Sequence, residues 1–431
     1  MCKKIKGGNQ GMHELIRRLK HMTYTSIFGL RVLFKWILFG TLTGIVVGAA
    51  ATAFFYCLRF ATDFRTAHPI IILGLPIGGV LIVALYKFMK NDLGTNVVLA
   101  SIHKDEKIPG RMAPMIFIAT FLTHFFGASA GREGAALQLG GSISAQLGKL
   151  LRVNPDDRHI VIMCGMSAGF SAIFGTPLAS AIFSMEVISI GIMHYSALVP
   201  CVFASLIASI FSRSLGVVSE SFYVSIIPDF NVEHFIKMIF LSIFFGVLSA
   251  AFCLMLEGFK KLLGKYLKNP YLRIITASAI IILLTLIFRT TDYMGAGIEI
   301  IERAFEEGAR PEAFLLKMIF TSLALAAGFK GGEIVPAFFI GATFGSVAGP
   351  IIGLPVALSA ACGMLGVFCG ATNCPITSLL IGFELFGFQG MPYYLVAVSV
   401  SYMMSGYHGL YKEQRIIYSK YQTKFINRNP K

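Results

Sequence analysis

Long apolar stretches alternate along the chain with short polar runs rich in Lys and Arg. The apolar segments fall at roughly 28–57, 68–88, 110–130, 134–150, 158–187, 191–213, 233–260, 271–288, 313–329, 335–360, 361–385 and 391–405. Uncharged windows of about 20 residues match the length a helix needs to cross a bilayer. In hydrocarbon the backbone polar groups must satisfy one another, which only helices and closed barrels achieve, so the pattern predicts an all-α polytopic membrane protein. Several segments are too long for one span, and others are short and rich in glycine. Long tilted helices mixed with half-helices that end inside the protein account for both, because broken backbone survives at membrane depth only where protein or an aqueous cavity satisfies it.

An internal repeat organises these segments. Laying 166–187 over 364–385 makes Met166, Phe170, Pro177 and Glu186 coincide with Met364, Phe368, Pro375 and Glu384 at one constant offset of 198. A second match pairs Gly131-Arg132-Glu133 with Gly331-Gly332-Glu333 at nearly that offset. Two structural halves follow, and transporter folds use such halves to build a substrate site from discontinuous helices near mid-membrane. The match alone does not distinguish parallel from inverted repeats. The expected organisation is a cytoplasmic amphipathic segment at 1–27, a first transmembrane repeat at 28–215, a second at 216–411, and a basic cytoplasmic tail at 412–431.

Composition strengthens this reading and narrows it. Hydrophobic residues make up 55% of the 431 and charged residues 14%, against about 25% charged in soluble domains. The net charge of +15 sits in runs outside the apolar spans, with Lys3, Lys4, Lys6, Arg17, Arg18 and Lys20 before the first, and Lys412, Arg415, Lys420, Lys424, Arg428 and Lys431 after the last. The positive-inside bias then places both termini in the cytoplasm, and the charge reports topology rather than nucleic-acid binding. The amino end is long and amphipathic without a small-residue cleavage site, so it reads as a surface helix rather than a signal peptide. Eight cysteines scattered through apolar segments favour neither a metal nor a disulfide framework, with Cys369 and Cys374 as a minor redox alternative. No nucleophile or paired acid and base emerges in a water-exposed domain, so no enzyme and no cofactor are expected.

Several motifs carry chemistry. Gly131-Arg132-Glu133-Gly134-Ala135 opens a glycine-rich apolar helix whose free N–H groups and dipole suit an anion. Glu133 is itself an anion there, able to occupy the site when ionised and vacate it when protonated; an interfacial pair with Arg132 is the plainer reading. Phe329-Lys330-Gly331-Gly332-Glu333-Ile334-Val335-Pro336 is its counterpart, with Pro336 tolerated in a first turn and the N–H groups before it left for an anion. Glu333 is costly at this depth unless it pairs, with Lys330 nearby, or takes a proton. Gly175-Thr176-Pro177 and Asn373-Cys374-Pro375 break equivalent apolar segments, each nine residues before Glu186 or Glu384. The breaks mark either site-forming helices or plain kinks, and the two glutamates either cap helix ends or pair with loop bases. Gly94-Thr95-Asn96-Val97 offers hydroxyl and amide donors, although a simple turn has the same look. Tyr402, Tyr407 and Tyr411 stand near the last span as interfacial anchors or phenolic donors.

On these residues the chain resembles the CLC family of chloride channels and anion/proton antiporters from about 28 to 412. The stretch 131–135 resembles the family's GREGP motif, which implies that Glu133 is the gating glutamate. Residues 331–336 resemble its GxFxP region, and Tyr411 its central anion-coordinating tyrosine. The resemblance implies a CLC-type fold of two inverted-topology repeats with broken helices, a homodimer with one pore per subunit, and multi-pass residence in the cell inner (plasma) membrane. The departures point within the family. Gly94-Thr95-Asn96-Val97-Val98 replaces the GSGIP motif, leaving Thr95 or Asn96 as substitute donor; Val187 stands where the chloride/proton antiporters keep an internal glutamate; and Glu333 stands where they carry an apolar residue. An acid there resembles the branch that exports fluoride in exchange for protons. The implied site is an anion held by the N–H groups of Ile334 and Val335, a donor from Thr95 or Asn96, and the Tyr411 hydroxyl, with Glu133 and Glu333 handling protons. A chloride channel or chloride/proton antiporter is the alternative.

Overall fold

Several equivalent helices of the two halves match in length. The computed structural model describes residues 3–88, 95–103, 108–218 and 221–430; side chains at 3–17, 19–25 and 95 lie outside that description. The first half contains α1 (Lys3–Ala67), α2 (Leu75–Phe88), α3 (Thr95–His103), α4 (Met112–Phe126), α5 (Glu133–Leu150), α6 (Arg158–Phe174), α7 (Pro177–Glu186) and α8 (Leu198–Ser214). The second contains α9 (Val232–Tyr266), α10 (Pro270–Phe288), α11 (Ile298–Glu306), α12 (Ala313–Ala327), α13 (Ile334–Ile351), α14 (Val356–Thr372), α15 (Pro375–Phe386) and α16 (Met391–Met404). α4 and α12 each have 15 residues, α5 and α13 each 18, and α6 and α14 each 17. Even the stops correspond: α6 ends at left-handed Gly175 and α14 at left-handed Asn373.

Among the described residues, six helical segments are long and apolar enough to cross a bilayer: Ser26–Ala67, Pro69–Phe88, Tyr195–Ser214, Val232–Tyr266, Pro270–Phe288 and Ile334–Ile351. Five shorter apolar helices accompany them, as the mixture of long and interrupted segments predicts. α1 runs unbroken across position 27, so the expected surface segment and the first span are one helix.

Close packing within each half depends on small residues. A Cβ on Gly140 of α5 would lie 2.0 Å from Gly165 O of α6, and one on Gly341 of α13 would lie 2.1 Å from Gly363 O of α14. Without glycine these backbones could not touch. Aromatic rings join the halves: Phe338 of α13 stacks on Phe174 of α6 at 5.3 Å between ring centres and packs against Phe368 of α14 at 4.9 Å.

One feature departs from the all-helical expectation. The tail forms strands β2 (Arg415–Tyr418) and β3 (Phe425–Arg428), and β2 pairs in parallel with β1 (Ser189–Ile190), just beyond α7. Side chains secure this sheet. Lys420 Nζ donates to Tyr402 O and Ser405 Oγ, both at 3.0 Å, and Gln414 Nε2 donates to Val187 O and Thr372 O, both at 2.9 Å. The described cysteines are free thiols. Cys369 and Cys374 each donate to a carbonyl, of Val398 and Thr372, so no disulfide joins them.

Candidate functional site

The two glycine-rich loops meet at the start of α5 and α13. Gly131 N donates to Gly332 O and Gly332 N donates to Gly131 O, both at 2.7 Å, forming an isolated antiparallel bridge. Only glycine permits this approach: a Cβ on Gly332 would meet Gly134 N at 2.5 Å, and one on Gly331 would meet Gly131 O at 2.9 Å. The bridge places the first turns of both half-helices, with their unladdered N–H groups, side by side.

Glu133 and Glu333 flank this crossing. Glu133 has no exposed surface, and its Oε2 would lie 3.3 Å from a Cβ on Gly131. It accepts from Arg132 N at 3.1 Å and from Arg132 Nε at 3.3 Å, while the guanidinium lies 4.9 Å from the centre of the Phe55 ring. The Arg132 pair expected on plain grounds is therefore present, around a carboxyl buried where the loops cross.

Glu333 takes the N-cap position of α13 and is half-buried. Its Oε2 has no hydrogen-bond partner and would lie 3.8 Å from a Cβ on Gly134. Lys330 Nζ sits over the Tyr86 ring at 4.3 Å. Glu333 lines a cavity of about 130 Å³ together with Asn96, Cys253, Lys260, Leu410 and Lys412. Glu257 also lines it and accepts from Lys412 Nζ at 3.0 Å, which leaves Lys260 as the lining cation outside that pair.

The other expected anion ligands gather unevenly. In α13 the first helical bond runs from Ala337 N to Glu333 O, so the N–H groups of Ile334 and Val335 precede the ladder; both residues are fully buried beside the crossing. Asn96 lines the same cavity as Glu333, and its Oδ1 accepts from Glu413 N at 3.4 Å. The side chain of Thr95, like Gly94, lies outside the described residues. Tyr411 is 2% exposed, and its hydroxyl has no protein partner. The Tyr407 hydroxyl is engaged by Ser419 Oγ at 2.6 Å and its ring by the Arg428 guanidinium at 3.7 Å, so Tyr407 anchors the tail strands.

The paired helix breaks have a structural function that sequence left open. Glu384 of α15 accepts from Leu178 N at 2.9 Å and Ala179 N at 2.8 Å, in the first turn of α7. Glu186 at the end of α7 accepts from Ile376 N at 3.0 Å, and from Thr377 N at 2.8 Å and Thr377 Oγ1 at 2.6 Å, in the first turn of α15. Each helix ends in the cap of the other. Equivalent helices thus run antiparallel, as inverted repeats require.

Two buried bases were missed by the motif reading. Lys317 of α12 has no exposed surface; its Nζ donates to Gly295 O at 2.8 Å and Tyr293 O at 3.3 Å. Gly295 O also accepts from Ala130 N at 3.3 Å, and Ser129 Oγ meets Thr321 Oγ1 at 2.9 Å. α12 therefore holds the loop that leads to Glu133, directly through Ser129 and indirectly through Gly295. A single lysine inside an apolar 15-residue helix is a signal that could have found it. His124, near the end of α4, is the second.

Comparison with known proteins gives this geometry its family. The voltage gated chloride channel family matches residues 78–406. The chain belongs to that family. Among its CLC relatives, the chloride/fluoride channel protein of Pseudomonas syringae pv. tomato is 36% identical over 396 residues, spanning 90% of this chain and 88% of the relative. The crystal structure of a CLC-type fluoride/proton antiporter superposes with a TM-score of 0.86 at 35% identity, covering 89% of this chain and 98% of that one. A slow cyanobacterial Cl⁻/H⁺ antiporter shares the fold with a TM-score of 0.75 at 19% identity, over 86% of this chain and 94% of that one.

Proposed function

We propose that this CLC chain is a proton-coupled anion antiporter, a transporter and not an enzyme, that exports fluoride in exchange for protons. The observation that carries the reading is the pair of carboxyl groups, Glu133 and Glu333, on either side of the Gly131–Gly332 crossing, where two half-helices present free N–H groups. An anion held by Ile334 N, Val335 N, Asn96 and the Tyr411 hydroxyl has Glu133 on one flank and Glu333 on the other. Protonation removes the charge of Glu133 and lets the anion take its place; Glu333 supplies the second proton acceptor that Val187 cannot. Fluoride is small and strongly hydrated, so its dehydration needs close donors of this kind. It is also the base of a weak acid, trapped in the more alkaline cell interior after HF enters.

The proposal places both termini in the cytoplasm of the inner (plasma) membrane, by the positive-inside bias, and makes the functional unit a homodimer, as the family resemblance implies. Chloride transport is the second reading, favoured by the name of the Pseudomonas relative, which carries both halides. Reconstituted protein in liposomes decides between them, with fluoride and chloride electrodes read beside internal pH. Fluoride efflux with opposed proton movement and little chloride flux supports the proposal. Strong chloride flux without proton movement replaces it with a chloride channel.

A further inference from the structure

Tyr411 stands on irregular backbone, in the loop between the end of α16 at Met404 and the start of β2 at Arg415. Without a helix or sheet ladder at this point, the place of its side chain is set by what the flanking residues hold. On one side, Leu410 N donates to Ala371 O at 2.9 Å, near the end of α14, and Asn373 Nδ2 donates to His408 O at 3.0 Å. Gly409 permits that approach, since a Cβ there would meet Asn373 Nδ2 at 2.7 Å. On the other side, Gln414 N donates to Tyr411 O and Arg415 N donates to Ile188 O, both at 3.1 Å. Gly409, Leu410 and Lys412, on either side of Tyr411, line the cavity that holds Glu333 and Asn96.

Gln414 has no exposed surface, and both ends of its amide are used. Its Nε2 donates to Val187 O, just past α7, and to Thr372 O, at the end of α14, both at 2.9 Å; its Oε1 accepts from Asn373 Nδ2 at 3.2 Å. Two carbonyls at one end and an N–H donor at the other admit a single orientation of the amide. Asn373 Oδ1 in turn accepts from Lys420 Nζ, which also binds the end of α16. Three residues after Tyr411, one side chain thus ties the loop to the first half at Val187 and to the second at Thr372 and Asn373.

We propose that Gln414 is a positioning residue for the anion site: by clamping this loop to the ends of α7 and α14, it holds the Tyr411 hydroxyl at the distance fluoride requires. The hydroxyl lies at the far end of a rigid ring, so a small tilt of the backbone displaces it further than the backbone itself. A donor that replaces water around fluoride tolerates a displacement of about 0.5 Å. Removing the amide takes these partners from two buried carbonyls and one N–H and frees the loop to shift. Gln414 acts through Tyr411 and does not touch the ion.

This role rests on the fluoride reading, so its test begins with binding, which needs no transport. Fluoride titrated calorimetrically into the full chain in detergent should show a Kd at least about fivefold higher in Gln414→Met, the loss of roughly one hydrogen bond. Gln414→Leu serves if the methionine variant fails to fold. In a Tyr411→Phe background the same change should add less than about twofold, because its effect passes through the hydroxyl. Tyr407→Phe, which loosens the far end of the tail at Ser419, should lower the melting temperature and keep the fluoride Kd within about twofold of wild type. An unchanged Kd in Gln414→Met, an equal loss with and without the Tyr411 hydroxyl, or a Kd raised as far by Tyr407→Phe overturns the role. In liposomes, KM for fluoride should rise by the same factor in Gln414→Met at an unchanged maximal rate; a lower rate at an unchanged KM counts against it. A chain with this binding pattern that moves no fluoride keeps the positioning role and loses the transport reading. Proton-coupled fluoride efflux with a Kd indifferent to Gln414 does the reverse, and a wild-type chain that binds no fluoride removes both.

Discussion

Gly131 and Gly332 hydrogen-bond to each other twice, N to O in both directions, at 2.7 Å. This bridge ties the first turn of α5 to the first turn of α13 and leaves no room at the contact for an ion. Passage must therefore run alongside the bridge, past the side chains that follow each glycine. Those side chains include the two glutamates, to which the proposed gate and proton path are assigned.

Glu133→Gln keeps the shape of the side chain and its contact with Arg132 but fixes it in a neutral state. We expect proton movement in liposomes to fall by about tenfold or more, with a residual fluoride leak that no longer responds to pH. Unchanged flux and unchanged pH dependence would remove Glu133 from the mechanism.

Glu333→Gln leaves α13 and the 130 Å³ cavity in place while deleting the second titrating group. Proton-coupled fluoride turnover should drop by about tenfold, measured by electrode at matched protein density. Coupling at the wild-type rate would show that Glu333 plays no part in it.

Glu186 and Glu384 are placed for stability. Removing either leaves two backbone donors of a half-helix without their acceptor, at a cost of about 1–3 kcal/mol. Glu384→Ala and Glu186→Ala should each lower the melting temperature in detergent by several degrees, and the glutamine variants by less. A larger effect on coupling than on melting would reassign Glu186 to the proton path.

Glycines in this chain divide by what surrounds them. Gly140→Ala would place its Cβ 2.0 Å from Gly165 O and should destabilise by about 1–3 kcal/mol or prevent folding. Gly258, exposed in the middle of α9 with nothing within 4 Å of its would-be Cβ, should tolerate alanine with a gain of roughly 0.5–1 kcal/mol. Thermal unfolding of the two variants beside wild type checks both signs.

The repeat was legible because its markers are local: Pro177 and Pro375 begin helices, Gly175 and Asn373 end them, and the same spacing recurs in both halves. Glu133 and Glu333 were legible because a charge within apolar sequence is expensive wherever it lies. The partners of Glu186 and Glu384 were not, since each cap joins residues about two hundred positions apart and nothing at either end specifies the other. The tail strands escaped for a related reason. Four-residue strands in a basic, polar stretch carry no clear period, and β2 needs only the two residues Ser189 and Ile190 as its neighbour.

The exchange of caps also sets a clock on assembly. Leu178 emerges from the ribosome 206 residues before Glu384, which at about 5–20 residues per second is an interval of roughly 10–40 s. During that time the first turn of α7 lacks its native acceptor while the rest of the chain is still being threaded into the bilayer. The first half is thus an obligate intermediate rather than an independent module, and a chain halted before its last 50 residues would leave the membrane insertion machinery with a helix end to shield.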